Sequence, residues 1–296
     1  MRIATFNVLH GRLLHDDARQ ARPDGRDGQQ GSPLADAVAA LDADVLALQE
    51  LDRFQERSGE VDQASVAATA MSATDWRYAS AFHGRAIPDV GWVRDHSAPE
   101  LTVCGPEDAE TQNTLPSHGT ALLTRLPVRL WRVRRFAGAP GGMPLRVVGR
   151  KGLLPVRDHA RVAIAAVLES PRGPLTVVAT HLSFVPGWNV WQLASLTRWI
   201  ADLPRPHLLL GDLNLVGPVP RAVLAGGELF AGLTNGTRPE HHWHDLARTA
   251  TYPANHPRVQ FDRILASGIP RSAVRAVHAP QASISDHRPL IVELDD

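Results

Sequence analysis

Short apolar runs that stop on a polar side chain recur along the whole chain, and no other feature constrains its fold as much. Phe6-Asn7, Leu48-Gln49-Glu50, Ala179-Thr180-His181, Leu210-Gly211-Asp212-Leu213-Asn214 and Ile284-Ser285-Asp286-His287 each place a hydrogen-bonding or ionisable group at the lip of a buried strand. A carboxylate or imidazole at a core edge is costly unless a metal, a counter-charge or hydrogen bonds offset its lost hydration. Loops at the carboxyl ends of strands are also where α/β folds collect ligands. These endings are therefore expected to converge on one site.

The stretches between them support an α/β (α+β) chain. Ala43–Gln49 reads as a short buried strand. It follows a helix that Ser32 caps, with Pro33 at its first position and Leu34, Val38 and Leu41 at helical spacing. Further strands are expected at Thr120–Thr124, Val162–Leu168, Leu175–His181, Leu208–Gly211, Val259–Ala266 and Leu290–Leu294, enough for two sheets. The 3.6-residue spacing of Val190, Leu193, Leu196, Thr197, Ile200 and Leu203 predicts a helix from Val190 to Leu203, stopped by Pro204 and Pro206. Asp16–Gly31, Phe82–Ser117 and Ala137–Gly149 are rich in Gly, Pro, Asp and Arg and lack a period, so they read as loops or insertions. No domain boundary is evident in them, and one domain over residues 1–296 is expected.

Composition removes several classes. An apolar fraction of 44% with 21% charged residues excludes wholesale disorder. Equal numbers of acidic and basic residues give zero formal charge, so any grip on a polyanion must be local. Cys104 is the only cysteine, which excludes an internal disulfide and a Cys-rich zinc site. The opening Met1–Val8 reads as a strand rather than a leader, and no run approaches the roughly 20 apolar residues that cross a bilayer. A cytoplasmic protein with no membrane span is expected; the sequence does not indicate its oligomeric state.

Hard oxygen donors such as Glu50 and Asp286, without a nearby Cys or a His-x-x-x-His pattern, favour Mg²⁺ or Mn²⁺ over zinc. Taken singly, each signal has a plainer explanation. Glu50 fits a solvated strand end, Gly211–Asn214 an Asx-stabilised turn, Asp286-His287 a local hydrogen-bonded pair, and His181 a satisfied core-edge histidine. The ordered set is more specific than any member.

Thr5-Phe6-Asn7, Leu48-Gln49-Glu50, Gly119–Arg125, Thr180-His181-Leu182, Gly211–Asn214, Phe261–Leu265 and Ser285–Leu290 follow one another between residues 3 and 294. In this order they resemble the motifs of the endonuclease/exonuclease/phosphatase superfamily. The resemblance implies a four-layered sandwich of two packed mixed sheets flanked by helices, with Mg²⁺-dependent cleavage of a phosphate ester at one rim. It also implies roles. Glu50 holds the metal with Asn7 and Asp286 near it, Asp212 orients or deprotonates the attacking water, and Asn214 helps to place it. His287 meets a phosphoryl oxygen while Asp262 fixes its tautomer, and His181 is a second phosphate contact and possible proton donor. Some nuclease members carry an acidic residue two positions after the N-terminal Asn; Leu9 stands there, so a second metal is not expected. His10 beside it faces the phosphate or serves the structure.

The substrate is less constrained, because function on one fold varies with its loops. Arg125, Arg129, Arg132, Arg134, Arg135, Arg146, Arg150, Lys151, Arg157 and Arg161 concentrate positive charge and suit a phosphate backbone, or else form a solvated strand face over Trp131. Trp188 and Trp191 offer a surface for stacking a base. With Asn7, Asn214, His10 and Arg150 as candidate substrate contacts, the leading expectation is a phosphodiesterase acting on DNA or RNA. The alternatives are a hydrolase for a small soluble or lipid-derived phosphoester and a non-catalytic phosphate-binding module.

Overall fold

The computed structural model describes residues 1–14, 32–88, 90–108, 114–145, 152–235 and 242–295. In chain order its strands are β1 (Arg2–Asn7), β2 (Val45–Arg53), β3 (Asp75–Ile87), β4 (Gly91–Arg94), β5 (Val103–Cys104), β6 (Ser117–Thr124), β7 (Val128–Phe136) and β8 (Gly142–Leu145). There follow β9 (Leu154–Arg157), β10 (Arg161–Ser170), β11 (Gly173–His181), β12 (His207–Asp212), β13 (His244–Asp245), β14 (Asp262–Ser267), β15 (Val274–His278) and β16 (Leu290–Leu294). The α-helices are α1 (Pro33–Ala39), α2 (Gln63–Met71), α3 (Trp188–Trp199) and α4 (Val219–Asn235).

Two large mixed sheets pack face to face. The first runs β15-β16-β1-β2-β6-β3-β4, with β5 also paired to β3; the second runs β13-β14-β12-β11-β10-β7, and β8 and β9 form a small ribbon. Each large sheet is antiparallel except for one central parallel pair, β1 with β2 and β11 with β12. Strand alternation sorts the apolar residues into layers. Ile3, Val45, Ala47, Leu208, Leu210, Val177, Ala179 and Ile264 point between the sheets and form the central core. The intervening Ala4, Phe6, Leu46 and Leu48 pack outward against α1 and α2, and Val178, Leu209 and Leu265 against α3 and α4. This is the expected four-layered α/β sandwich.

Some boundaries differ from expectation. Ser32 occupies the N-cap of α1 without a side-chain capping bond, whereas Asp62 caps α2 by accepting from the N–H groups of Ala64 and Ser65. The helix expected from Val190 begins at Trp188, and its hydrogen bonds continue as a looser turn to Leu203. The stretch Phe82–Ser117 holds the end of β3 together with β4 and β5, and Ala137–Gly149 holds β8. Asp16–Gly31 falls outside the described residues, as do Arg146, Arg150 and Lys151. Among the described residues no helix is long and apolar enough to cross a membrane.

Candidate active site

The parity that builds the central core also aims the site. In β1 the inward positions Ile3 and Thr5 are followed by Asn7. In β12 Leu208 and Leu210 are followed by Asp212, and in β11 Val177 and Ala179 by His181. β14 is antiparallel to β12 and enters at the same rim, so Asp262, paired with Asp212, precedes the inward Ile264. One-residue shifts would turn each of these side chains outward. Glu50 is the exception. Strict alternation would send it outward with Leu46 and Leu48, but the β2–β6 register shifts between Gln49 and Leu51, and Glu50 adopts a φ of 58°. This bulge turns the carboxylate to the rim.

Asn214 (φ 50°) and Ser285 (φ 71°) share that left-handed backbone, which costs a non-glycine residue about 1 kcal/mol or more. Ser285 Oγ compensates by donating to Asn7 O (2.6 Å) and accepting from His287 N (3.0 Å). Gly211 lies at φ 146°, where a Cβ would collide with the Thr180 carbonyl; the closeness of β11 and β12 thus requires glycine before Asp212.

The rims open into a cleft of about 610 Å³ that Asn7, Glu50, His181, Asp212, Asn214, Asp286 and His287 all line. Asn7 Nδ2 is shared between Glu50 Oε1 (3.0 Å) and Asp212 Oδ2 (3.1 Å), while Asn7 Oδ1 accepts from Leu9 N. Asn7 thus offers these carboxylates its amide nitrogen and spaces them. Asn214 N donates to Asp212 Oδ1 (3.0 Å), and Asn214 Nδ2 lies 3.2 Å from His181 Nε2. His287 Nδ1 meets Asp262 Oδ2 at 2.8 Å, with Thr251 Oγ1 donating to the same oxygen. His287 Nε2 lies 3.9 Å from Asp212 Oδ2.

The electrostatics follow from this geometry. Burial, reinforced by Asp262, pushes the Asp212 pKa up to about 6 against the pull of His287, Asn7 and Asn214. Burial works against a charged His287, but its ion pair and hydrogen bond with Asp262, aided by Asp212 and Asp286, raise its pKa to about 10. His181 moves the other way: burial, then Arg161, His118 and His287, hold it neutral. Burial also opposes the Glu50 charge, yet His118, the Asn7 amide and His287 together keep its pKa below the ordinary value. Asp286 is raised by burial and by the nearby Glu50. Asp212, Asp262 and His287 have ligand atoms within 4.8 Å of one another, a spacing that a cation could bridge. Asp262 Oδ2, however, is already engaged by His287 and Thr251, whereas Glu50 and Asp286 are two like charges at one lip.

Other candidates fall elsewhere. His10 lines a neighbouring depression with Gly11, Arg57 and Gln63, and burial and Arg57 lower its pKa to about 4. Arg150 is not among the described residues. Trp188 and Trp191 pack on each other, 5.1 Å between centroids, without lining the cleft. Arg125, Arg129, Arg132 and Arg135, on or beside edge strand β7, pair with Asp42, Glu169, Asp202 and Glu100.

The cleft also holds residues that sequence reasoning missed: Phe82, Trp92, His118, His159, Phe184 and Tyr252. His118 had a usable signal. It stands just before Gly119–Arg125 at the start of β6, which is antiparallel to β2 and so enters at the rim where β2 ends.

Comparison with known proteins identifies the family. A family model described as the Endonuclease/Exonuclease/phosphatase family matches residues 4–287. No curated protein is significantly similar in sequence. Among solved structures, an endonuclease/exonuclease/phosphatase family protein from Leptotrichia buccalis superposes with a TM-score of 0.57 at 15% identity, covering 100% of both chains. A mannosyl-6-phosphatase from Bacteroides thetaiotaomicron gives 0.56 at 16%, again over 100% of both. TDP2 from D. rerio, complexed with a single-strand DNA product, gives 0.50 at 14% over 100% of this chain and 99% of that one. At these identities the likenesses speak for the fold, and it is the family match over nearly the whole chain that makes it a member of the endonuclease/exonuclease/phosphatase family of phosphoester hydrolases.

Proposed function

We propose that the chain is a divalent-metal-dependent phosphoesterase, served by Mg²⁺ or Mn²⁺, whose substrate is a small soluble phosphoester. The observation that carries this reading is Asp212, a buried carboxylate with its pKa raised to about 6 that Asn7, Asn214, His181 and His287 surround.

The donor set suits a hard cation. Glu50 and Asp286 are close enough for one charge to raise the pKa of the other, a repulsion that a divalent ion bound by their oxygens would relieve. When bound, the ion neutralises charge on the phosphoryl oxygens. Asn7 holds Glu50 and Asp212 at a fixed spacing. Asp212 accepts the proton of the attacking water as the P–O bond to the organic group breaks, a task suited to a pKa near the working pH, and the departing oxygen takes its proton from solvent. Asn214, through its backbone N–H, keeps the Asp212 carboxylate oriented. His287, kept charged by Asp262, donates from Nε2 to a phosphoryl oxygen. His181 is neutral, which makes it a hydrogen-bonding partner of the phosphate rather than a charged acid.

The choice of a small substrate rests on charge. Of the β7 arginines, Arg129, Arg132 and Arg135 are spent on ion pairs, and Arg134 lies over the Phe136 ring; none of them lines the cleft. Arg161, itself 3.3 Å from Asp158, is the only Lys or Arg among the described residues that lines it. A second reading, hydrolysis of DNA or RNA, has one observation in its favour. The segment from Ala250 to Phe261 separates the cleft from a depression bordered by Arg221, Arg248, Arg258 and Arg263.

The test is a panel of a phosphomonoester, a bis-aryl phosphodiester, plasmid DNA, single-stranded DNA and RNA, each with Mg²⁺, Mn²⁺ or chelator. Metal-stimulated, chelator-sensitive hydrolysis of the small esters, nearly indifferent to salt, is expected. Folded protein that hydrolyses none of them would contradict the proposal. Cleavage confined to polymers, with a steep loss between about 50 and 200 mM salt, would select the second reading.

A further inference from the structure

We propose that the end of the cleft formed by β6, β3 and the start of β10 is a subsite for the leaving group, and that it takes a single neutral ring with polar edges. The inference rests on the phosphoesterase reading for the position of the phosphate, but the walls of the subsite are independent of it.

Strand order supplies the axis. Successive neighbours β1, β2, β6 and β3 bring Asn7, Glu50, His118 and Phe82 to one rim, each step about 4.8 Å. Opposite them, β14, β12, β11 and β10 bring Asp262, Asp212, His181 and Arg161. With the phosphate between Glu50 and Asp212, the organic part of the ester extends towards His118, Phe82 and Arg161.

That end is aromatic, and its rings are in mutual contact. Phe82 meets the Trp92 ring edge-to-face at 4.7 Å and the His159 ring at 4.7 Å, and His118 lies 5.1 Å from Trp92. Arg57 covers the indole of Trp92 at 4.6 Å. Arg57 also makes two bonds to the fully buried Asp52 (2.7 and 2.9 Å), whose Oδ1 meets His118 Nδ1 at 2.7 Å. His118 is therefore locked through Nδ1, and no hydrogen bond to Nε2 occurs among the described residues. His159 is arranged alike, its Nδ1 lying 2.9 Å from Arg94 Nη2. Burial and Arg94 hold its pKa at about 4, so the neutral ring accepts from Arg94 and carries its proton on Nε2.

These features select among ligands. An acyl chain would leave the imidazole nitrogens unpaired in an apolar contact, which is costly. A second phosphate would compete with carboxylates already in place, because Arg161 lies 3.3 Å from Asp158 and His118 meets Asp52 at 2.7 Å, while His159 is uncharged. A neutral ring with an apolar face and hydrogen-bonding edges satisfies both the aromatic walls and the fixed imidazoles. A sugar and a nucleoside share that chemistry.

The test compares kcat/KM for a hexose 6-phosphate, a nucleoside 5′-monophosphate, acyclic glycerol phosphate and a single-stranded oligonucleotide. It uses wild type, Trp92→Ala and Phe184→Ala, each checked for folding by circular dichroism. At least one ring ester is expected to exceed glycerol phosphate tenfold or more, and the two arms tell sugar from nucleoside. Both variants should erode that preference at least tenfold, mainly through KM. Equal use of ring and acyclic esters, an undiminished preference in both variants, or the oligonucleotide as best substrate overturns the inference. If nothing is hydrolysed, the phosphoesterase reading fails, and calorimetry with the same two ring phosphates still decides. Binding that Trp92→Ala weakens tenfold upholds the subsite, and no binding to wild type overturns it.

Discussion

The two ends of the cleft are built on different principles. At one end Asn7, His181, Asp212 and Asp262 continue the inward stripe of core strands, so burial fixes their direction and each carboxylate or imidazole is held by a neighbour. At the other, Phe82, Trp92, His159 and Phe184 come from strands and connections outside the central parallel pairs; the Phe82 ring meets those of Trp92 and His159, and Arg161 lies over Phe184. The proposed chemistry is thus anchored in the central strands, and the proposed selectivity in the segments around them.

The sharpest break in this comparison is Asp262→Asn. It removes the partner that charges and orients His287, and turnover should fall by two orders of magnitude or more while Trp92 and its neighbours keep their ring contacts. Steady-state kinetics beside near-ultraviolet circular dichroism checks both halves; unchanged turnover would show that the Asp262–His287 pair only supports the fold. Glu50→Gln comes next. A neutral amide is a poorer ligand for a hard cation, so the Mg²⁺ concentration giving half-maximal rate should rise at least about tenfold. An unshifted titration would place the ion elsewhere.

A smaller effect concerns stability at the aromatic end. His159 has a folded pKa of about 4 against 6.5 when unfolded, so as pH falls below 6.5 the unfolded chain takes up the proton first. Stability falls between about pH 6.5 and 4, by at most about 1.4 kcal/mol per pH unit from this residue, and the contribution levels off below pH 4. His159→Gln should flatten the denaturation midpoint against pH over that window; parallel wild-type and variant curves would mean that His159 is not held neutral. Smallest of all is Arg132→Ala on β7. Its partner Asp202 is exposed, so stability should change by no more than about 0.5 kcal/mol and the salt dependence of hydrolysis not at all. A flattened salt response would bring β7 back as a substrate surface.

The same contrast explains what could be read from sequence. Apolar runs ending in Asn7, His181 and Asp212 are visible because alternation ties side-chain direction to burial, and the two-sheet sandwich follows from the same runs. Glu50 shows the limit: its motif is plain, but its direction depends on a bulge and a φ of 58° that no periodicity encodes. His118 was obscured because an antiparallel strand reaches the rim at its beginning, as β10 does at Arg161. Trp92 sits in a stretch rich in Gly, Pro and charge that lacks a period, although it forms β4. The arginines of β7 misled in the opposite direction, since charge along a strand does not reveal whether acidic partners stand beside it.

The central claim is that Asp212 activates water for attack on a phosphate ester. Its most direct test is p-nitrophenol release from an activated phosphate ester by wild type and by a folded Asp212→Asn protein in saturating Mg²⁺. General-base removal predicts a loss of at least about 10²-fold in kcat with little change in KM. Equal rates in the two proteins would contradict it.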